Sequence, residues 1–311
     1  MKLQAVSKSN SARCRALSKT FIDKLDPEKY GVYGPLVEMV RKTKDLHFEF
    51  RGQLDLDNPE NDLPADESVN IYYKGNSILR LHRNGTFRID PAFTESLEMP
   101  KFLTTDKEVR TYLDLIPKIM FSVAARGKTS MEIEYQQMII RANNFESRIN
   151  SEYIIVYNQY NIGKERWDLL AIKWPRSKRH KPTGQLALIE VKYALNPDIK
   201  KGHKQLERYY KYLQANKDNL CREMELILRQ KLALKLIEKN PGQVRKLEKL
   251  KLERDLKKIE VIFYLIDYNP NSIWKAQMIE KASELPFAGQ IRIVDGGLAM
   301  WEQSLKPLVE T

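Results

Sequence analysis

Three charged side chains lie on two predicted strands near the middle of the chain. Asp168 precedes the apolar run 169–172, and Glu190 and Lys192 lie in the strand-like segment 185–192. Side chains alternate between the faces of a strand, so Glu190 and Lys192 share one face. Two charges on an otherwise apolar face are costly unless each has a partner. A divalent cation held by Asp168 and Glu190 would satisfy them, with Lys192 placed to orient or deprotonate the attacking water.

The alternative is an ordinary ion pair on a half-exposed strand, which is common in sheets. The next segment favours the functional site over this alternative. Residues 201–213 have helical spacing. Gln205 and Tyr209 are separated by four positions and therefore lie on one face of that helix. Polar side chains on a helix that directly follows the Glu-Val-Lys strand favour a shared functional site.

The order Asp168, Glu190-Val191-Lys192 and Gln205-x-x-x-Tyr209 resembles the PD-(D/E)XK nuclease superfamily, especially its RecB-like branch. The resemblance covers residues 130–213 and a looser continuation of the sheet at 259–267. Trp167 stands where the family pattern has Pro. The resemblance implies an α/β fold with a restriction-endonuclease-like core, in which a mixed central sheet is flanked by helices.

The resemblance also implies the roles of the site residues. Asp168 and Glu190 would hold Mg²⁺ or Mn²⁺, with the carbonyl of Ile189 or Val191 as a further ligand. Lys192 would position the nucleophile or stabilise the phosphate. Gln205 and Tyr209 would orient the substrate or the core. The family's first core helix usually carries a Glu toward the metal, and here Glu132 and Glu134 both lie near the start of the helix predicted from residue 130 onward. Spacing does not separate these two, and ordinary acidic residues at a helix N-terminus are the alternative.

A basic connection joins the two site strands. Within nine residues it contains the cationic side chains that we expect to contact phosphate groups beside the metal site, namely Lys173, Arg176, Lys178, Arg179 and Lys181, together with His180. An exposed charged hairpin tip is the alternative interpretation.

The rest of the chain predicts two domains. Residues 1–115 form an α+β accessory domain, in which alternation and turn residues over 69–89 predict a β-meander. Residues 116–311 form the nuclease-like domain. Within it, residues 214–258 are helix-forming and are interrupted at Asn240-Pro241-Gly242, which predicts an inserted charged helical hairpin.

Composition limits the function classes. The 311 residues carry a net charge of +12, which favours a polyanionic partner such as DNA, with RNA as the other candidate. A lysine excess that serves only solubility is the alternative. Two cysteines, and four histidines without i, i+4 pairing, argue against a zinc enzyme and favour a reducing compartment. The absence of a long apolar run and of an apolar signal region predicts a cytoplasmic protein without membrane contact.

These features predict a Mg²⁺-dependent deoxyribonuclease in DNA repair, recombination, restriction or antiviral defence. The chain has no Walker loop, so an ATP-driven motor or other defence-system protein would be a separate partner. Two alternatives remain open. One is a nuclease-fold module that binds nucleic acid or organises an assembly without catalysis. The other is a nuclease effector that a ligand switches on through the N-terminal domain.

Overall fold

A computed structural model describes residues 13–60, 63–64, 66–126, 130–146, 148–162, 165–194 and 197–298. The fold is mixed α/β. Its helices are α1 (Lys19–Leu25), α2 (Gly34–Lys42), α3 (Asp106–Arg126), α4 (Met131–Asn144), α5 (Gly202–Ala233), α6 (Pro241–Leu247) and α7 (Ile273–Ser283). Its strands are β1 (Arg13–Cys14), β2 (Leu46–Arg51), β3 (Leu54–Asp55), β4 (Ser68–Tyr73), β5 (Asn76–His82), β6 (Phe87–Arg88), β7 (Tyr153–Ile162), β8 (Glu165–Lys173), β9 (Thr183–Tyr193), β10 (Lys251–Leu252), β11 (Glu260–Ile266) and β12 (Ile291–Gly296).

The N-terminal part contains a four-stranded antiparallel sheet with the order β2-β4-β5-β6. Strands β4, β5 and β6 form the meander expected over residues 69–89. The β4–β5 turn places Lys74 at φ 46° and Gly75 at φ 77°. Two consecutive residues with positive φ match the twist of a tight hairpin, which explains why a Gly stands at the second position.

The larger sheet carries the predicted site strands. Its order is β12-β11-β9-β8-β7, with β10 beside β9. Strands β7, β8 and β9 form an antiparallel meander, whereas β11 is parallel to both β9 and β12. The carboxyl ends of β9, β11 and β12 therefore meet at one edge of the sheet. The amino-terminal part of β8 lies at the same edge.

The two faces of this sheet are covered by different helices. On one face, Ile139 and Ile140 of α4 belong to a buried cluster with Leu169 and Val191. On the other face, Tyr209 and Leu213 of α5 belong to the largest buried cluster. The alternation of apolar side chains along β8 and β9 produces this two-sided burial.

Of the charged helical hairpin predicted as an insertion over 214–258, the structure shows the break before Pro241 and a second helix after it, but the first helix is not a separate insertion. The single helix α5 runs from Gly202 to Ala233 and includes the segment that carries Gln205 and Tyr209. After it come the short helix α6 and the strand β10, which pairs with β9. The chain does break at Asn240 as predicted. The Asn240 side chain accepts a hydrogen bond from the Gln243 amide and caps the start of α6.

The second half of α5 is buried against the N-terminal part of the chain. Glu223 Oε1 accepts a hydrogen bond of 2.8 Å from the Arg15 amide, and Lys231 Nζ lies 3.2 Å from Glu49 Oε1. The largest buried cluster therefore contains residues from both parts of the chain. The domain boundary predicted at residue 115 falls inside α3, and the two-domain division stays a prediction. Among the described residues, we find no helix that is both long and apolar enough to span a membrane.

Candidate active site

Asp168 lies where the β8–β9 ladder ends. The paired positions run from Lys173 opposite Gln185 to Leu169 opposite Ile189, so Asp168 is the next residue on β8. Its Oδ2 accepts a hydrogen bond of 2.9 Å from the backbone N–H of Val191. The side chain of Asp168 thus takes a β9 donor where strand pairing stops, and this fixes one carboxylate beside the end of β9.

Glu190 and Lys192 lie on β9 next to Asp168. Lys192 Nζ lies 2.5 Å from Glu190 Oε1. All three side chains are buried, with exposed fractions of 4% for Asp168, 3% for Glu190 and 7% for Lys192. A half-exposed surface pair is therefore excluded for Glu190 and Lys192. Two carboxyl groups and one ammonium group therefore share a buried space.

The first turns of α5 hold the Glu190 carboxylate from the other side. Gln205 Nε2 donates to Glu190 Oε1 at 2.8 Å and also to the Tyr209 hydroxyl. The Tyr209 hydroxyl lies 2.9 Å from Glu190 Oε2 and 3.0 Å from the carbonyl oxygen of Arg166. Its ring packs edge-on against Trp167. Gln205 and Tyr209 thus fix both oxygens of Glu190, as residues with an orienting role would.

The buried charges perturb one another. Burial raises the pKa of the Asp168 carboxyl well above its ordinary value, and the nearby Glu190 carboxylate raises it further. Burial alone would lower the pKa of Lys192, but the Glu190 and Asp168 carboxylates outweigh burial and raise it. Lys192 is therefore held as a cation. A divalent cation in addition to Lys192 would stabilise the ionised form of carboxyl groups in this environment.

Glu132 and Glu134 take different positions at the start of α4. The charge of Glu132 raises the pKa of both Asp168 and Lys192. Glu134 instead lines a groove of about 290 Å³ between α4 and the N-terminal sheet, together with Lys44 and His47. The charge of Glu132 thus acts on two residues of the site, whereas Glu134 faces the groove, a distinction that helical spacing did not provide.

The basic connection is not beside Asp168 and Glu190. It joins the end of β8 to the start of β9, whereas Glu190 lies five residues further along β9 than Gln185. At the strand rise this distance is about 17 Å, so the expected location of the loop was wrong.

Two of the five cationic residues in this connection are bonded to the segment that precedes β7. Arg176 donates to the carbonyl oxygens of Ile149 and Asn150. Arg179 donates to that of Ser151 at 2.7 Å. Lys173 is paired with Glu260 at 2.6 Å, whereas Lys178 and Lys181 are exposed.

Two residues near the site were missed by the sequence interpretation. Tyr135 on α4 donates a 2.6 Å hydrogen bond to Asp267 Oδ2, which raises the pKa of the Tyr135 hydroxyl to about 12. The Tyr135 ring stacks on Tyr193, with centroids 5.2 Å apart. These contacts fix the start of α4 at the edge where β9 and β11 end. The position of Asp267, directly after a buried strand, was the available signal.

The donor atoms of the site fit a hard divalent cation. Asp168 and Glu190 offer carboxylate oxygens, which Mg²⁺ and Mn²⁺ prefer. Among the described residues, no group of three or more His, Cys, Asp or Glu side chains has the geometry of a preformed metal site. Magnesium does not require one, because proteins usually hold it with one or two carboxylates and several waters. The chemistry therefore favours Mg²⁺ or Mn²⁺ over zinc.

Comparisons with known proteins add little to this geometry. No family model matches the chain, and no curated protein matches it. Among solved structures, the chain aligns with the crystal structure of a repair endonuclease from Pyrococcus abyssi at 11% identity and a TM-score of 0.25. The alignment covers 87% of this chain and 96% of that one. A similarity of this strength supports no conclusion about the function of this chain.

Proposed function

We propose that the protein is a nuclease that hydrolyses phosphodiester bonds in DNA and depends on Mg²⁺ or Mn²⁺. The observation that carries the proposal is the buried cluster of Asp168, Glu190 and Lys192 at the ends of two neighbouring strands. Burial of two carboxylates beside one ammonium group lowers the stability of the fold, so stability does not explain the arrangement. Such an arrangement is typical of a catalytic site.

In this proposal Asp168 and Glu190 hold the cation, with Glu132 nearby. Bound there, Mg²⁺ or Mn²⁺ would activate water and offset the negative charge of the scissile phosphate. Lys192 provides a fixed positive charge for the attacking group and for charge that develops on the phosphate. Gln205 and Tyr209 orient Glu190 through the hydrogen bonds to its two oxygens. The chain thus positions each group before the substrate arrives.

DNA is the substrate that the charge of the chain favours. The net charge of +12 generates a positive field that attracts a polyanion. DNA contacts by Lys173, Arg176, Lys178, Arg179 and Lys181 remain part of the proposal, but at a distance from the scissile bond. A separation of about 17 Å corresponds to about five base pairs of duplex. The process, whether repair, recombination, restriction or antiviral defence, follows from the family resemblance alone.

The test compares wild type with Lys192→Ala. The substitution removes the positive charge beside the reacting phosphate but leaves both carboxylates in place. We expect cleavage to fall by about 10²- to 10³-fold, as for other single electrostatic donors, while DNA affinity changes little. Cleavage is measured with Mg²⁺ and with Mn²⁺, on circular and linear, single- and double-stranded DNA and on RNA.

Lys211→Ala is the matched control. Lys211 lies on the exposed surface of α5, where it pairs with Glu207, so its removal changes the net charge equally without touching the site. Wild type that binds DNA but cuts no substrate with either metal would favour the catalytically silent binding module. If Lys192→Ala cuts as fast as Lys211→Ala, Lys192 is only a strand charge and the site assignment is wrong.

A further inference from the structure

Exposed cationic side chains lie in and just before the first turns of α5, the same turns that hold Glu190. Residues 200–211 carry five basic side chains and one acidic side chain, so this segment alone supplies +4 of the net charge of +12. Lys200, Lys201 and Lys204 are exposed. Within the described part of the chain, Lys201 and Lys204 form no salt bridge. Their charges are therefore available to a partner.

The first turn of α5 lies over the strand next to Glu190. A Cβ atom at Gly202 would lie 2.9 Å from the ring of Phe263, so the absence of a side chain lets the helix approach closely. Phe263 on β11 pairs with Glu190 on β9, and Gln205 Nε2 lies 2.8 Å from Glu190 Oε1. Consecutive Cα atoms are about 3.8 Å apart and the Gln205 side chain adds about 5 Å, so the Cα atom of Lys204 lies within about 12 Å of Glu190 Oε1.

Helix α7 packs against α5 and extends this cationic surface. Burial lowers the pKa of the His203 imidazole, and the charges of Lys281 on α7 and of Lys204 lower it further, so both cations lie near His203. Lys200 Nζ lies 4.1 Å from the centre of the Trp274 ring, which favours one position for this cation. We call this set of cations from the two elements the α5–α7 surface, namely Lys200, Lys201, Lys204 and Lys281.

We propose that the α5–α7 surface binds the phosphate backbone of DNA close to the bond that is cut. The inference rests on the proposed function. A group of exposed cations is complementary to a polyanion, and contacts with phosphates fix the position of DNA on a protein. The basic connection lies about 17 Å from the carboxylates, at the other end of the hairpin. A distance of about 12 Å corresponds to three or four phosphates along one strand at about 3.4 Å each.

The test compares wild type with the double variant Lys201→Ala/Lys204→Ala. DNA binding is titrated without metal at several salt concentrations, so that the measurement does not require cleavage. The slope of log affinity against log salt should fall by up to about 1.8, since each phosphate contact contributes about 0.9. In cleavage with Mg²⁺, the loss should appear in KM rather than in kcat, because backbone contacts act on the bound substrate and the transition state alike.

Two further double variants separate the loss of contacts from other effects. Lys107→Ala/Lys118→Ala is the matched control, because both lysines are exposed on α3, which packs on α2 and β5 in the N-terminal part. It changes the net charge equally and should keep the wild-type slope. Lys201→Arg/Lys204→Arg retains both charges and should keep that slope as well.

A duplex with one neutral methylphosphonate linkage locates the contact. Wild type should bind it less tightly when the linkage lies within about four nucleotides of the cut, whereas Lys201→Ala/Lys204→Ala should be insensitive to it. Equal slopes and equal KM values for this variant and the α3 control would overturn the inference. If wild type cuts no DNA with any metal but the slope still falls in Lys201→Ala/Lys204→Ala alone, the proposed nuclease function is wrong and the binding surface stands.

Discussion

Replacing Tyr209 with Phe tests how far the orientation of Glu190 controls cleavage. The hydroxyl of Tyr209 lies 2.9 Å from Glu190 Oε2 and accepts a hydrogen bond from Gln205. Tyr209→Phe removes this hydroxyl and keeps the ring, whose centroid lies 5.2 Å from that of Trp167. Core packing is therefore retained. Glu190 keeps its contacts with Lys192 and Gln205 through Oε1 but loses the donor to Oε2.

The size of the effect follows from the charge of the acceptor. A hydrogen bond to a charged group contributes about 1.5 to 3 kcal/mol. If the displacement of the Glu190 carboxylate raises the free energy of the transition state only, this range corresponds to a decrease of about 10- to 150-fold in kcat. DNA affinity should change little, because Tyr209 is 2% exposed and does not form part of the surface.

The assay measures kcat and KM for Mg²⁺-dependent cleavage, with Tyr212→Phe as the control. Tyr212 lies one turn further along α5 and packs on the same tryptophan, with centroids 5.5 Å apart, but it has no contact with Glu190. Equal losses in both variants would mean that the effect is general destabilisation of α5. A raised KM at unchanged kcat would mean that Tyr209 acts on substrate binding, contrary to the argument above.

Two further predictions concern the surface and the core. Replacing the exposed Lys178 and Lys181 with Ala should reduce the slope of log affinity against log salt by up to about 1.8, since each phosphate contact contributes about 0.9; an unchanged slope in binding titrations would show that the loop makes no DNA contact. Lys231→Met leaves the buried Glu49 without its cation, 3.2 Å away. Loss of such a partner costs about 3 to 5 kcal/mol, a fall of about 5 to 8 °C in the thermal midpoint for a chain of this size. Calorimetry should show a much smaller shift for Lys235→Met, whose partner Glu28 is exposed.

The local pattern of β8 and β9 was sufficient to predict which side chains meet. Alternation placed Glu190 and Lys192 on one face. The structure pairs these two with each other, and Asp168 accepts a hydrogen bond from the backbone of Val191 between them. The position of the basic connection could have been predicted as well. Asp168 lies near the start of β8 and Glu190 near the end of β9, and these strands are antiparallel neighbours. The turn between them must then lie at the opposite end of the hairpin from both carboxylates.

The course of α5 was not predictable from local composition. Its second half contains Glu223, Gln230 and Lys231, which in a helix pattern indicate a solvent-exposed face. Their partners lie in the first 50 residues of the chain: Gln230, for example, bonds both the N–H and the carbonyl of Leu17. Only tertiary structure reveals that these polar residues are paired in the interior. Because these partners are distant in sequence, the charge pattern alone indicated an exposed hairpin where the structure has the buried second half of α5.

The continuous α5 links the candidate site to the N-terminal sheet. Its first turns hold Glu190 through Gln205 and Tyr209, and its last turns are fixed to β2 through the pair formed by Lys231 and Glu49. A helix transmits displacement along its axis because its backbone hydrogen bonds are internal. Any shift of β2 that carried Lys231 with it would therefore reach the two side chains that orient Glu190. For this reason the N-terminal sheet is part of the framework that positions the site, and substitutions at Glu49 should change cleavage as well as stability.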